Sequence, residues 1–207
     1  MKRFLFSDLY QKVKVIGFDL DGTLYDDFDF ISRVYREIVE STGGRPGWRE
    51  DILDFMLLRW LEKGSSYPFI FRETQEKFGL SSDFAEKALV VYRNYSPCLN
   101  LSPRIKFLLH YIKKDGKRLF LVTDGNEQLQ QKKIEALKIH DYFELIVLTN
   151  DRPKPEPVHK AKIIKEFSCT PNEIVYIGDR EIDRRFAENC GFEFVYGKWH
   201  VFREDKP

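Results

Sequence analysis

Cysteine is scarce in this chain and forms no recognisable metal-binding or redox pattern. The three cysteines, Cys98, Cys169 and Cys190, lie far apart, and no CxxC or Cys/His ligand spacing includes them. We therefore expect buried free thiols and, because unpaired thiols suit a reducing compartment, a cytoplasmic location. The four histidines are also scattered, which indicates no histidine-based metal cluster.

Long apolar runs, strong net charge and common nucleotide-binding motifs are missing as well. No run of about 18 apolar residues exists, so we expect no transmembrane helix and no membrane partner. The basic N-terminal residues are followed by no secretory-type apolar run or small-residue cleavage site. Lysine and arginine (34) nearly balance aspartate and glutamate (33), which removes the broad attraction that a nucleic-acid partner needs. The absence of GxGxxG and of GxxxxGK(S/T) excludes a dinucleotide-binding oxidoreductase.

What the chain does contain is enough apolar sequence for an ordinary α/β domain with a small inserted one. Its 207 residues are 43% hydrophobic and 15% aromatic, which suffices for a packed core. Short, apolar, β-branched segments alternate with amphipathic helical stretches, and this alternation predicts a parallel sheet with helices on both faces. The predicted strands are 13–19, 118–123, 145–148, 174–177 and 192–196, and the predicted helices between them are 103–114, 127–138, 157–167 and 183–189.

Residues 27–98 break this alternation, because they contain helical stretches and no convincing strand. Turn residues around 43–47, 64–66 and 79 separate four predicted helices. We therefore predict a core of residues 1–26 and 99–207 with a helical domain, 27–98, inserted after the first strand. Within the insertion, the apolar stripe of Phe55, Leu58, Trp60 and Leu61 is interpreted as the domain's core.

Two acids, Asp19 and Asp21, end the first strand in the segment Asp-Leu-Asp-Gly-Thr. Open parallel sheets bind ligands at the carboxyl ends of their strands, so reactive groups are expected here. One carboxylate can attack a phosphorus atom while the other protonates the leaving alkoxide. The alternative is a solvated acidic turn, of a kind that can also bind Ca²⁺.

The next two strands end in groups suited to an anionic ligand. Thr123 offers a hydroxyl, and the turn from Asp124 into the following helix offers backbone N–H groups. After the third strand, prolines flank Lys154 and stiffen its loop. Taken alone, a threonine here is more often a helix N-cap than a phosphate ligand, and Lys154 is equally well an exposed loop lysine.

The fourth strand adds Asp179 and Asp183, which would bring up to four carboxylates into one crevice. Such a cluster requires a divalent cation or protonation, and hard oxygen ligands with room for phosphate and water suit Mg²⁺.

The ordered motifs DxDGT, Thr, Lys and GDxxxD, each at a strand end, resemble the haloacid dehalogenase-like hydrolase superfamily over about residues 13–196. The resemblance implies a Rossmann-like α/β core with an inserted α-helical cap of the first cap class. It implies that Asp19 is the nucleophile that becomes an aspartyl phosphate and Asp21 the general acid and base. It also implies that Thr123 and Lys154 hold the phosphoryl group.

The same resemblance implies a Mg²⁺ site. Asp19 and Asp179 would be direct ligands, Asp21 would contribute its backbone carbonyl, and Asp183 would support the metal and its waters. This chain departs from the family in having Asp124 where Asn is frequent. We include Asp124 among the phosphate-binding residues through its turn, but expect its carboxylate to point away from the phosphate.

Asp21 favours phosphoryl transfer over dehalogenation, because a dehalogenase protonates no alkoxide and lacks this acid. The predicted function is a Mg²⁺-dependent phosphatase for a small phosphorylated metabolite, acting as a monomer or homodimer. Two alternatives stay open, a phosphomutase of the same superfamily and a non-catalytic metal- and phosphate-binding regulator. A response-regulator receiver has a similar acidic site, but the long helical insertion and the GDxxxD motif argue against it.

The first loop of the insertion contains three candidates for reading the leaving group, Arg45, Trp48 and Arg49. Arginine would suit an anionic or polar group, and tryptophan can stack on a flat ring. The alternative is that Trp48 packs inside the helical domain while both arginines are solvated.

Overall fold

The structure is a computed structural model that describes residues 10–41, 46–65 and 67–197. The chain divides into two compact units, one formed by residues 1–26 and 99–207 and the other by residues 27–98. The second unit spans the residues for which the sequence predicts a cap, and its role as a cap stays a prediction.

The first unit contains a five-stranded parallel sheet. Its strands are β1 (Val15–Phe18), β2 (Arg118–Thr123), β3 (Leu145–Leu148), β4 (Ile174–Gly178) and β5 (Glu193–Tyr196). They lie in the order β3-β2-β1-β4-β5, so the chain runs outward from the centre on one side and then crosses to the other. The strand order therefore reverses next to β1, the position where open α/β sheets form a ligand crevice.

The register of the central strands determines which side chains meet at the carboxyl edge. Phe18 lies opposite both Leu121 of β2 and Ile177 of β4. Asp19 and Gly178, the residues that follow Phe18 and Ile177, are therefore neighbours, which places the beginnings of the DxDGT and GDxxxD motifs next to each other.

Among the described residues, the first unit has four α-helices of eight residues or more. They are α5 (Pro103–Lys114), α6 (Glu127–Leu137), α7 (Lys160–Phe167) and α8 (Glu181–Cys190). Asn126 is the N-cap of helix α6, and its side chain accepts a hydrogen bond from the backbone N–H of Leu129 at 3.1 Å. The fold class predicted from the sequence, a parallel sheet flanked by helices with an α-helical insertion, is confirmed.

The core of the first unit is rich in aromatic side chains. Phe120, Tyr176 and Phe186 are fully buried, and the rings of Tyr176 and Phe186 meet edge to face with centroids 5.0 Å apart. Burying three such rings stabilises the sheet by several kcal/mol, at roughly 1.5–3 kcal/mol for each large side chain. The hydroxyl of Tyr176 donates to the backbone oxygen of Val122 at 3.1 Å, so its one polar atom is satisfied.

The regular secondary structure of the second unit is entirely helical among its described residues. Its helices are α1 (Asp27–Ser41), α2 (Arg49–Lys63), α3 (Ile70–Phe78) and α4 (Phe84–Asn94). The predicted core stripe on α2 is wrong, because Leu58 and Leu61 are 65% and 63% exposed. The buried residues of α2 are Ile52, Leu53 and Met56. At about 100° per residue, positions 58 and 61 lie roughly 140–160° around the helix from Met56, on the opposite side.

Two further predictions concern the cysteines and membrane-spanning helices. Cys169 and Cys190 are buried free thiols as expected, whereas Cys98 is exposed, so that part of the expectation is wrong. Cys98 follows the last helix of the insertion in an irregular segment, where the backbone does not enclose its side chain. Among the described residues, no helix has both the length and the apolar character needed to cross a membrane.

Candidate active site

Asp19 occupies the centre of the carboxyl edge of the sheet. It directly follows β1, and its backbone N–H donates to the carbonyl of Ile177 on β4 at 2.9 Å. Its side chain is only 2% exposed, and its Oδ1 accepts a hydrogen bond from Lys154 Nζ at 2.5 Å. The second oxygen, Oδ2, is buried and has no hydrogen-bond partner among the described residues. A buried carboxylate oxygen without a donor is expensive, so Oδ2 is suited to receive a cation or to react.

Lys154 is completely buried between two carboxylates. Its Nζ lies 2.5 Å from Oδ1 of Asp19 and 2.5 Å from Oδ1 of Asp183, and it lies 3.4 Å from the hydroxyl oxygen of Tyr176. An ammonium group has three hydrogens, and these contacts account for all three. The rigid loop predicted around Lys154 thus aims its charge into the acidic cluster.

Three carboxylates converge on one point, from the ends of β1 and β4 and from the first turn of α8. Oxygens of Asp19, Asp179 and Asp183 lie within 4.8 Å of one another. Two glycines leave room for this approach. A Cβ on Gly22, where φ is +80°, would lie 2.6 Å from Oδ2 of Asp179, and one on Gly178 would lie 2.4 Å from Cβ of Asp183.

This donor set fits a divalent cation. Three carboxylates supply hard oxygen ligands, and the buried Oδ2 of Asp19 is available. The predicted metal residues Asp19, Asp179 and Asp183 are therefore brought together. The carboxylate of Asp21 is not in this group, and a contribution from its backbone carbonyl stays a prediction.

Burial has the largest effect on the pKa of Asp19, the candidate nucleophile. It raises the pKa of Asp19 to about 8, although the ammonium of Lys154 opposes the shift. Burial alone would lower the pKa of Lys154, but the carboxylates of Asp19 and Asp183 outweigh it and hold that pKa well above its usual range. A carboxylate nucleophile must be ionised near neutral pH, so further positive charge close to Asp19 would favour its reactive form.

Asp21 is held by three side chains, of which two belong to α6. Its Oδ1 accepts from the hydroxyl of Tyr25 and from Lys133 Nζ at 2.7 Å, and its Oδ2 accepts from Gln130 Nε2 at 2.7 Å. Burial raises the pKa of Asp21, but the combined effect of these donors, led by the charge of Lys133, outweighs it and lowers the pKa. Lys133 is therefore a lysine in contact with Asp21, and no role was assigned to it from the sequence.

Thr123 ends β2 with its side chain buried at the same edge. Its Oγ1 lies 2.5 Å from Nε2 of Gln130, so one amide nitrogen reaches both Thr123 and Asp21. An amide nitrogen only donates, and its two hydrogens can serve the two oxygens. Gln130 therefore joins the first and second motifs, and no role was assigned to it from the sequence.

The side chain of Asp124 orders the lysine loop. Its Oδ1 accepts a hydrogen bond from the hydroxyl of Thr149 and another from the backbone N–H of Lys154 at 3.0 Å. Its Oδ2 lies 4.0 Å from Lys154 Nζ. Since Oδ1 is engaged with protein donors, a contribution of Asp124 to phosphate binding would come from its backbone turn, and that contribution stays a prediction.

Arg180 is a further cation that sequence reasoning passed over. Its backbone N–H donates to Oδ2 of Asp183 at 3.1 Å, and its Nε lies 3.8 Å from Oδ1 of Asp179. Burial would lower its pKa, but the surrounding carboxylates reverse that effect and raise it. Its position in the GDxxxD motif, between the two acids, was the available signal.

The three predicted specificity residues lie in the second unit or outside the described residues. Arg45 is outside them. Trp48 immediately precedes α2 and is 43% exposed, so it is not packed inside the helical unit. Arg49 begins α2 and is partly buried. Contacts of Trp48 and Arg49 with a substrate stay predictions.

The central parallel sheet and the carboxylates at its carboxyl edge define a Rossmann-like α/β protein with a candidate cation site. A family model described as haloacid dehalogenase-like hydrolase matches residues 16–196. The chain belongs to this family, which confirms the resemblance seen in its motifs.

Named relatives share most of the chain. The sequence is 28% identical over 202 residues to a glyceraldehyde 3-phosphate phosphatase of Pyrococcus furiosus, covering 94% of this chain and 84% of the relative. It is 25% identical over 194 residues to a phosphoglycolate phosphatase of Aquifex aeolicus, covering 90% and 85%. A solved structure of a HAD-superfamily hydrolase, subfamily IA, variant 1, from Geobacter sulfurreducens matches with a TM-score of 0.68 and 25% identity, covering 89% of this chain and 87% of that one.

Proposed function

We propose that this protein is a Mg²⁺-dependent phosphatase that transfers the phosphoryl group of a small phosphate monoester first to Asp19 and then to water. The observation that carries the proposal is the buried, unpartnered Oδ2 of Asp19 among Lys154, Asp179 and Asp183. This arrangement combines a potential nucleophile with a cation site and a fixed positive charge. The phosphatase names of several relatives support the same class of reaction.

In the first step, an oxygen of Asp19 attacks phosphorus and the bond from phosphorus to the ester oxygen breaks. Asp21 gives its proton to the departing alkoxide, which leaves as an alcohol. The hydroxyl of Thr123 and the ammonium of Lys154 stabilise negative charge on the phosphoryl oxygens.

In the second step, a water oxygen attacks the phosphorus of the aspartyl phosphate. Asp21, now ionised, takes a proton from this water, and the bond between phosphorus and Asp19 breaks. Inorganic phosphate leaves, and both carboxyl groups return to their starting states. Asp21 must therefore be protonated for the first step and ionised for the second, and the contacts that lower its pKa favour the second role.

A Mg²⁺ ion held by Asp19 and Asp179, with Asp183 supporting it, would supply positive charge to the phosphoryl oxygens and to Asp19. Phosphate monoesters hydrolyse so slowly without catalysis that rate enhancements reach about 10²¹, or roughly 28 kcal/mol. No single side chain provides that much, so the combination of nucleophile, proton donor and cations is necessary.

The substrate class in this proposal is a small phosphorylated metabolite. Relatives named for glyceraldehyde 3-phosphate, phosphoglycolate and pyrophosphate define the first compounds to assay. Trp48 and Arg49 are the proposed contacts to the leaving group. The proposal also includes a cytoplasmic location, which suits the free cysteines, and a monomeric or homodimeric protein.

The direct test measures phosphate release from p-nitrophenyl phosphate and from these compounds, with and without Mg²⁺. Wild type and Asp19→Asn are compared, with Asp115→Asn as a control on the same unit. Release that requires Mg²⁺, disappears in Asp19→Asn and persists in the control is the expected result. If folded wild type releases no phosphate from any compound, the phosphatase proposal fails and a mutase or a non-catalytic binder becomes the better account.

A further inference from the structure

Helix α6 carries two polar side chains on its buried, otherwise apolar face. Leu129, Ile134 and Leu137 are the apolar members of that face, and Gln130 and Lys133 lie among them. Gln130 is 2% exposed and Lys133 is 4% exposed. Lysine is almost never buried to this extent without a charged partner, and the desolvation of such a group is costly. Apolar packing alone does not explain why these two polar side chains are buried.

Both side chains reach the same carboxylate from one helix face. Lys133 Nζ lies 2.7 Å from Oδ1 of Asp21, and Gln130 Nε2 lies 2.7 Å from Oδ2. Residues three apart on an α-helix are neighbours on its surface. Helix α6 therefore supplies a hydrogen-bond donor to each carboxylate oxygen of Asp21. With both oxygens engaged, the plane of the Asp21 carboxylate is fixed relative to Asp19.

Gln130 has a second consequence, at Thr123. Because its Nε2 donates a hydrogen to Oγ1 of Thr123, that oxygen acts as an acceptor there. The hydroxyl hydrogen of Thr123 must then point elsewhere and is available as a donor. A hydroxyl that donates is what a phosphoryl oxygen requires, since that oxygen only accepts.

We propose that Gln130 and Lys133 are positioning residues, which orient the proton-donor carboxylate of Asp21 and preset the hydroxyl of Thr123 as a donor to the phosphoryl group. The inference rests on the proposed phosphatase function. Lys133 acts through Asp21 alone, whereas Gln130 acts through both Asp21 and Thr123. This division gives the two residues different kinetic signatures.

The Lys133 and Gln130 variants should differ in how kcat/KM depends on the leaving group. An alkoxide needs a proton from Asp21 as it departs, whereas p-nitrophenolate is stable enough to leave without one. The parameter kcat/KM reports the first transfer step with both kinds of ester. Lys133→Met should lower kcat/KM for glycerol phosphate by about 10- to 100-fold, since general acid catalysis contributes roughly 10²–10⁴-fold and needs an oriented donor. This loss of orientation is expected to outweigh the larger protonated fraction of Asp21 that follows when the charge of Lys133 no longer lowers its pKa. The same variant should change kcat/KM for p-nitrophenyl phosphate by less than about threefold, because no proton donor is needed there.

Gln130→Met should lower kcat/KM for both esters, because the Thr123 hydroxyl serves the phosphoryl group that both share. The expected loss is about tenfold or more for each, in line with removal of one oriented donor. Lys133→Arg should restore much of the activity on glycerol phosphate, because it returns a cation to Asp21.

The matched controls are Gln131→Met and Lys132→Met, which make the same changes on the neighbouring faces of α6. Methionine is a good helix former, so the helix itself is preserved. Thermal unfolding of each variant separates loss of fold from loss of positioning. The controls should stay near wild type with both esters.

Three outcomes are distinguishable. The leaving-group dependence of Lys133→Met together with a loss on both esters in Gln130→Met supports the inference. Folded Lys133→Met and Gln130→Met proteins with the kinetics of their controls overturn it, and so does an equal loss on both esters in Lys133→Met. A wild-type protein that hydrolyses neither ester overturns the phosphatase proposal first, and the positioning roles with it.

Discussion

Replacing Lys154 by methionine would test whether the acidic cluster depends on an internal positive charge. The ammonium lies 2.5 Å from a carboxylate oxygen of both Asp19 and Asp183, and none of the three side chains is more than 2% exposed. Removing one partner of a buried ion pair costs about 3–5 kcal/mol, because the other is left unpaired. Two carboxylates are stranded here, although protonation of Asp19, whose pKa burial raises to about 8, relieves part of the cost. We therefore expect a loss of about 3–5 kcal/mol.

The matching shift in the thermal midpoint is roughly 6–20 °C, at about 2–4 °C per kcal/mol for a chain of this size. Of the three tryptophans, Trp48 and Trp60 lie in the helical unit and Trp199 lies outside the described residues. Far-ultraviolet circular dichroism therefore gives the midpoint, and hydrogen exchange of β1 and β4 amides reports on the sheet more directly than tryptophan fluorescence does. Lys14→Met is the control, because Lys14 forms an exposed ion pair with Glu173. Added Mg²⁺ should recover part of the lost stability by supplying positive charge to the same carboxylates.

A loss below about 1 kcal/mol in Lys154→Met would refute this reasoning, because it would mean that the buried carboxylates are compensated without the lysine. A loss as large in Lys14→Met would refute it as well, since an exposed pair is expected to matter little. Recovery of stability in a Lys154→Met, Asp183→Asn double variant would support it, because one of the stranded charges is then removed.

Three further predictions concern single side chains. Gly178→Ala should lower phosphate release at least tenfold, because its new Cβ would lie 2.4 Å from Cβ of Asp183 and displace that acid. Gly116→Ala, which is strained at φ +78° but meets no neighbouring atom, should lower stability without that loss of activity, and equal activity in the two variants would contradict this. Tyr176→Phe should cost about 1 kcal/mol of unfolding free energy in urea titrations through its hydrogen bond to Val122, and an unchanged midpoint would argue against that bond. Trp48→Ala should raise KM for the best metabolite substrate and leave kcat/KM for p-nitrophenyl phosphate nearly unchanged; an equal effect on both would argue against a specificity role.

The sheet and its reactive edge could be predicted because their signals are local. Each strand is a short apolar run, and each predicted strand agrees with the observed one to within two residues at either end. The acids, the threonine and the lysine follow these runs directly, and parallel strands bring their carboxyl ends together. Asp19, Asp179, Asp183 and Lys154 meet for this reason.

The contacts of helix α6 with Asp21 could not be predicted from local sequence signals. Lys133 and Asp21 are 112 positions apart, and which face of α6 meets the sheet depends on packing. The available signal was the spacing of Gln130 and Lys133, three residues apart among Leu129, Ile134 and Leu137 on the apolar face. A polar pair within an apolar stripe indicates a buried partner, and charge alone does not distinguish Lys133 from the exposed lysines around it.

The helical unit shows where periodicity misleads. Helix α2 has apolar residues on more than one side, so the pattern does not predict which side is buried. The predicted stripe included Leu58 and Leu61, whereas the buried side is formed by Ile52, Leu53 and Met56. Helix existence and bounds were nevertheless predictable, because Gly64 and Gly79 mark the ends of α2 and α3.

The central claim is that Asp19 becomes phosphorylated, and acid-quenched peptide mass spectrometry tests it most directly. Wild type would be mixed with Mg²⁺ and the fastest phosphate monoester, quenched within one turnover, digested and analysed. The account predicts a mass gain of one PO₃ group on the peptide that contains Asp19, and no such gain in Asp19→Asn. Turnover with no label on this peptide, or a label on any other residue, would contradict it.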